Sequence, residues 1–225
     1  MAPALALKPA KRGKSQASTG TASAAKKADI MIAIGATGSG KSTRVNGDIQ
    51  RRGLDRLMLW DPQHEYEGPA VSTIDALATA VQAPTFRVRF LPSWDTKVRI
   101  KQFDLFCRIA YEAGKCALVC EELSQVVNAN GGGPGWTQVL TAGRHRELIV
   151  YGTSQRPALV DKTALSQATR LYCGNLEFPP DVKVMSVMLG VGEGDIQALG
   201  PLDYIERHRE TKALHRGNLK RGAPP

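Results

Sequence analysis

The sequence predicts an α/β protein: a mainly parallel β-sheet with helices on both faces. Two observations predict it. Short apolar runs recur between amphipathic stretches, and a glycine-rich turn follows the first run, where a strand would pass into a helix. The runs lie at residues 30–34, 57–60, 86–90, 116–120, 148–152 and 170–173, and their length and continuity suit strands covered on both faces. Between them, Ile100, Phe103, Phe106, Ile109 and Ala113 recur at helical spacing, as do Trp136, Val139 and Leu140. These side chains are expected in the core and carry no chemical role.

A chain of 225 residues supports one well-buried domain with tails. The net charge of +9 divides unevenly: residues 1–28 carry +6 with no acid, residues 206–225 carry +4, and the remainder carries −1. The expected organisation is a flexible basic arm over 1–28, a folded domain over 29–206 and a basic tail over 207–225. Such basic segments suit a polyanion; a solubilising tail has the same composition. No apolar run approaches the roughly 18 residues that cross a bilayer. Pro3 and Pro9 interrupt the only candidate leader, and the basic residues follow it rather than precede it. Cys107, Cys116, Cys120 and Cys173 form no C-x-x-C pair, so buried reduced thiols and a cytosolic compartment are expected.

The glycine-rich turn carries the first chemistry. "IGATGSGKST" satisfies G-x-x-x-x-G-K-[ST] directly after an apolar run and before a helical one, which is the context of a phosphate-binding loop. The predicted cradle is Gly35, Ala36, Thr37, Gly38, Ser39, Gly40, Lys41, Ser42 and Thr43. Backbone N–H groups and the helix N-terminus meet the phosphates of ATP, Lys41 reaches the β- and γ-phosphates, and the Ser42 hydroxyl completes a Mg²⁺ shell. The run at 116–120 then ends in two acids. Glu121 is placed to hold Mg²⁺, while Glu122 is placed to take a proton from a water that attacks the γ-phosphate. An acidic helix start would also explain Glu122.

The run at 148–152 ends in "TSQRP", polar residues at the tip of an apolar strand. In P-loop ATPases with a second acid, the strand after the acid-bearing one is inserted between it and the phosphate-loop strand. Gln155 would then stand where it could hydrogen-bond both the γ-phosphate and the attacking water.

Beyond the loop, "MLWDPQHEY" resembles the Asp-Pro-His-Gly-Glu-Tyr element of the FtsK–HerA superfamily of DNA-pumping P-loop ATPases, and "AGRHRELIVYGTSQRP" resembles its Gly-Arg-His and Gln-Arg-Pro signature. Glu121 in place of the usual aspartate, and Gln63-His64 in place of His-Gly, depart from the pattern. The small size, without a large additional domain, resembles the genome-packaging ATPases of tailless membrane-containing viruses. The resemblance implies a RecA-like core and an ATPase that packages double-stranded DNA into a capsid. It also implies a homo-oligomeric ring in host cytoplasm or virion. A capsid-vertex or viral membrane protein is a further candidate partner. A nucleotide-gated viral assembly factor and a P-loop kinase of a small metabolite are the alternatives. In such rings an arginine completes the neighbouring subunit's site, and Arg144, Arg146 and Arg156 are the candidates, with Arg144 preferred for its Gly-Arg-His position. The glycine-rich "NANGGGPGW" is expected to lack a fixed shape, either as a nucleotide-driven DNA grip or as a plain connection.

Overall fold

The computed structural model describes residues 27–221, so the arm expected over 1–28 lies outside the described residues except for its last two. The chain begins with β1 (Asp29–Ile34), the phosphate-loop turn and α1 (Lys41–Arg52). It continues through β2 (Arg56–Trp60), β3 (Ala70–Val71), α2 (Ile74–Ala80), β4 (Phe86–Phe90), α3 (Thr96–Ala113) and β5 (Ala117–Cys120). Then follow α4 (Gly133–Ala142), β6 (Ile149–Ser154), α5 (Lys162–Gln167), β7 (Arg170–Cys173), α6 (Pro179–Leu189) and α7 (Glu193–Gln197). An antiparallel pair closes the fold, β8 (Asp203–His208) and β9 (Leu214–Asn218).

All these strands form one sheet in the order β3-β4-β2-β5-β6-β1-β7-β8-β9, parallel from β3 to β7. The six expected strands are present. β6 pairs with β1 on one side and β5 on the other, the insertion that the second acid implied. Side chains alternate across the sheet, and this alternation splits the core in two. Ile30, Ile32 and Ile34 face α2 to α7, where Phe103, Phe106, Trp136, Val139 and Met185 are buried. Met31 and Ala33 face α1, with Val45, Ile49, Tyr151 and Tyr172.

Three expectations need correction. Ile100 is 44% exposed: the inward stripe of α3 is Phe103, Phe106, Cys107 and Ala110, and the helix projects past the core at its start. The segment read as a basic tail over 207–225 supplies the end of β8 and all of β9. Its charges hid the strand pattern: Arg207 donates to the Met188 carbonyl and Arg216 to Asp195, each at 3.0 Å, while the adjoining Glu206 is fully buried against Arg44 of α1 through two hydrogen bonds of 2.8 and 2.9 Å. "NANGGGPGW" has a definite shape: Asn128 and Gly131 exchange backbone hydrogen bonds, and α4 starts at Gly133. A Cβ on Gly132 would lie 2.4 Å from Val127 Cγ1, and one on Gly135 would lie 2.4 Å from the Asp104 carbonyl oxygen. Gly132 thus lets the loop fold against the start of α4, Gly135 lets α4 approach α3 closely, and Gly135 N–H donates to Asp104 Oδ1 at 2.6 Å.

The inner face of α1 is charged. Asp48 is nearly buried there, accepting from the Tyr151 hydroxyl and the Arg170 guanidinium, each at 2.8 Å, and pairing with Arg52 at 3.1 Å. Burial alone would raise its pKa; Arg170, then Tyr151 and Arg52, overcome this and hold it down at about 2. A carboxylate depressed by folding stabilises the fold above its unfolded pKa, and that stability disappears as pH falls through the folded value. Equilibrium denaturation from about pH 4 to about pH 2 should show wild type losing roughly 2 kcal/mol that Asp48→Asn, already less stable at neutral pH, does not lose.

Candidate functional site

The C-terminal ends of β1, β2, β5 and β6 meet at one edge of the sheet, where open parallel sheets place ligands. The loop between β1 and α1 turns through Gly38 and Gly40, whose φ values of 76° and 86° lie in the left-handed region that glycine enters without a steric penalty. Gly40 serves as the N-cap of α1, so the helix N-terminus opens onto a cleft of about 280 Å³. Among the residues lining it are Thr37, Gly38, Gly40, Lys41, Ser42 and Thr43. Lys41 is buried, with its ammonium donating to the carbonyls of Gly35 (3.0 Å) and Ala36 (3.1 Å). Burial lowers its pKa, against the opposing pull of Glu122, Glu121 and Glu65.

Across the cleft, β5 delivers two buried acids. Glu121 N–H continues the ladder to the Trp60 carbonyl, and its carboxylate accepts from the Tyr66 and Thr153 hydroxyls and, at 3.5 Å, from Ser42. Burial raises the Glu121 pKa; Glu65 and Glu122 add to the rise, while the Thr153 and Tyr66 hydroxyls oppose it. Glu122 has φ 51°, a backbone region costly for a non-glycine residue, and its N–H is held by Thr153 Oγ1 at 3.2 Å. Gln155, just past β6, bridges the two sides. Its Oε1 accepts from Thr37 Oγ1 at 2.9 Å and its Nε2 donates to Glu122 at 2.8 Å.

Sequence reading missed the second layer. Asp61, fully buried, accepts from the N–H groups of Glu65 (2.8 Å) and Tyr66 (3.2 Å) and pairs with Arg89. This folds "DPQHEY" so that Gln63 and Glu65 line the cleft and Tyr66 reaches Glu121. Thr153 and Leu202 were also missed. The polar end of the 148–152 run signalled Thr153; nothing local signalled Leu202.

The candidate arginines go elsewhere. Arg146 donates to the Tyr111 and Glu112 carbonyls at the end of α3 and lies over the Tyr111 ring, so it caps a helix of its own chain. Arg156 pairs with buried Asp181 at 2.8 Å and lies over Phe178. Arg144 is exposed just before β6, at the sheet edge opposite the phosphate loop, beside a cavity shared with Asp29, Arg170 and Arg209. It cannot reach its own cleft from there.

The expected donors Ser42 and Glu121 are both hard oxygens, suited to Mg²⁺ rather than to a soft metal. Among the described residues no group of three or more His, Cys, Asp or Glu forms a metal cage, so a cation here would draw its remaining ligands from phosphate and water. The four cysteines are buried thiols, and no described helix is long and apolar enough to cross a membrane.

The fold and the loop geometry define a RecA-like P-loop NTPase architecture. The chain is 26% identical over 172 residues to "Protein P9" of Pseudoalteromonas phage PM2, covering 75% of this chain and 78% of that protein. Solved structures share the fold. The genome packaging NTPase B204 from Sulfolobus turreted icosahedral virus 2, in complex with AMP, superposes with a TM-score of 0.66 at 15% identity, over 85% of this chain and 97% of that one. B204 of Sulfolobus turreted icosahedral virus gives 0.65 at 14%, over 86% and 98%. The bacterial conjugative coupling protein TrwB gives 0.63 at 11%, over 88% and 90%. No family model matches the chain.

Tyr66→Phe isolates the second layer. It leaves Glu121 with one hydroxyl fewer, which should cost about 1–2 kcal/mol of stability and raise the Mg²⁺ concentration that supports half-maximal nucleotide binding. Thermal unfolding and a Mg²⁺ titration against a fluorescent nucleotide measure both effects.

Proposed function

We propose that this chain is a Mg²⁺-dependent ATPase that drives double-stranded DNA into a viral capsid, working as a homo-oligomeric ring. The observation that carries the catalytic part is the Gln155 bridge. One side chain touches both the phosphate loop, at Thr37, and the second acid, Glu122. A small-molecule kinase has no need of such a link, whereas a motor must couple the state of its nucleotide to the hydrolytic group.

In this reading the loop amides and Lys41 hold the β- and γ-phosphates, and Ser42 and Glu121 hold Mg²⁺. The cation neutralises charge that develops on the transferred phosphoryl group. Glu122 accepts a proton from water as its oxygen bonds to the γ-phosphorus and the bond to the ADP oxygen breaks. Gln155, freed from one partner, orients that water. Arg144, facing away from its own cleft, is assigned to the neighbour's nucleotide across a ring interface. The packaging role is supported by the similarity to B204 and to Protein P9. The basic segments supply sequence-independent attraction to phosphate backbones.

ATP turnover measured with and without linear duplex DNA tests the proposal; stimulation by DNA is expected, and indifference to DNA would favour an assembly factor or a kinase. In the same assay Lys41→Ala should lose nucleotide binding, whereas Glu122→Gln should bind and turn over about 100-fold slower or worse. Arg144→Ala should bind ATP without cleaving it and recover activity when mixed into rings with Lys41→Ala. Wild-type turnover by Glu122→Gln would refute the role of the second acid.

A further inference from the structure

The C-terminal hairpin reaches back to the phosphate loop. Leu202, in the turn between α7 and β8, is the one apolar side chain among the residues lining the cleft. Its position is fixed from β9. The Asn218 side-chain amide donates to the Pro201 carbonyl at 3.2 Å and to Asp203 Oδ1 at 2.7 Å, and Leu219 N–H donates to the Leu202 carbonyl at 3.0 Å. Asp203 Oδ2 accepts from Gly200 N–H at 3.0 Å, closing the turn. Leu219 packs on the last glycine of the loop: a Cβ on Gly40 would lie 2.3 Å from Leu219 Cδ1 and 3.2 Å from Leu202 Cδ2. Tyr172 fastens the same loop, its hydroxyl donating to the Ser39 carbonyl at 2.9 Å, and stacks on Tyr204 of β8.

We infer that Leu202 is the wall of a nucleoside subsite, packing on the base or ribose of the bound nucleoside triphosphate. The inference rests on the nucleotide-binding reading of the cleft. Glu121, Glu122 and Gln155 crowd the end where the terminal phosphate would lie, so a nucleoside leaves toward the other end, past Gly40 and Thr43. Leu202 offers apolar surface there, and removing a purine face from water against it is favourable. A leucine side chain carries no donor or acceptor, so this wall recognises shape and does not separate adenine from guanine. A subsite that discriminated between them would need a polar group matched to one base edge.

Leu202 has φ 62°, where glycine is unstrained and asparagine is tolerated, so Leu202→Gly removes the side chain without a backbone penalty and Leu202→Asn serves as a second variant. Calorimetric binding of ATP, GTP and inorganic tripolyphosphate to the full chain reads the subsite directly. Wild type should bind ATP and GTP within about threefold of each other, and both variants should lose roughly tenfold for each nucleotide while tripolyphosphate affinity is unchanged. Equal loss for tripolyphosphate would show that Leu202 acts through the phosphate loop and would overturn the inference, as would unchanged nucleotide affinity or rejection of GTP by wild type. Failure of wild type to bind any of the three would instead overturn the nucleotide-binding reading.

Discussion

The site depends on β6 being hydrogen-bonded to β1 and β5 at once. That double pairing sets the residues after three strand ends side by side: the phosphate loop after β1, the acids after β5 and Gln155 after β6. Backbone ladders fix the register of all three, so the bridge from Thr37 through Gln155 to Glu122 spans packed strands rather than two mobile loops. Strained Glu122 fits this frame, because Thr153 of β6 holds its N–H while Gln155 holds its carboxylate. The energy of ordering the site is supplied by the sheet, not by the ligand.

A second constraint is electrostatic. The cleft gathers Glu65, Glu121 and Glu122 around the single ammonium of Lys41, and burial makes the charges of Lys41 and Glu121 costlier. In the proposed function, such a site would favour a triphosphate that arrives with a divalent cation over a bare one. The same logic runs beneath the loop. Arg44, Asp48 and Glu206 are buried in pairs between α1 and the sheet, and removing one member strands the other. α1 is therefore anchored to β6, β7 and β8 by charge as well as by Val45 and Ile49, which keeps its N-terminus aimed at the cleft.

What was legible in the sequence was what local pattern controls. Continuous apolar runs gave six strands, the glycine spacing gave the loop, and the polar tip at Thr153 to Arg156 marked where β6 opens onto the site. The rest depended on partners distant in the chain. Glu206 stands at the expected domain end and Arg207 looks like the first tail residue, until Arg44, 162 positions before Glu206, is seen to pair with that buried glutamate. Tyr66 was visible within "DPQHEY", yet its contact with Glu121 depends on Asp61 folding the loop back. The glycines of "NANGGGPGW" read as freedom, whereas Gly133 and Gly135 leave room for Asp104 of α3 and Gly132 leaves room for Val127 and Trp136. Leu202 carried no signal, since its role comes from a turn held by Asn218.

The account turns on Gln155 linking loop and acid, and single-turnover cleavage of ATP by Gln155→Ala, set beside its ATP affinity, tests that link most directly. The account predicts affinity within a few-fold of wild type and cleavage slower by about 100-fold or more. Cleavage at the wild-type rate with unchanged affinity would contradict it.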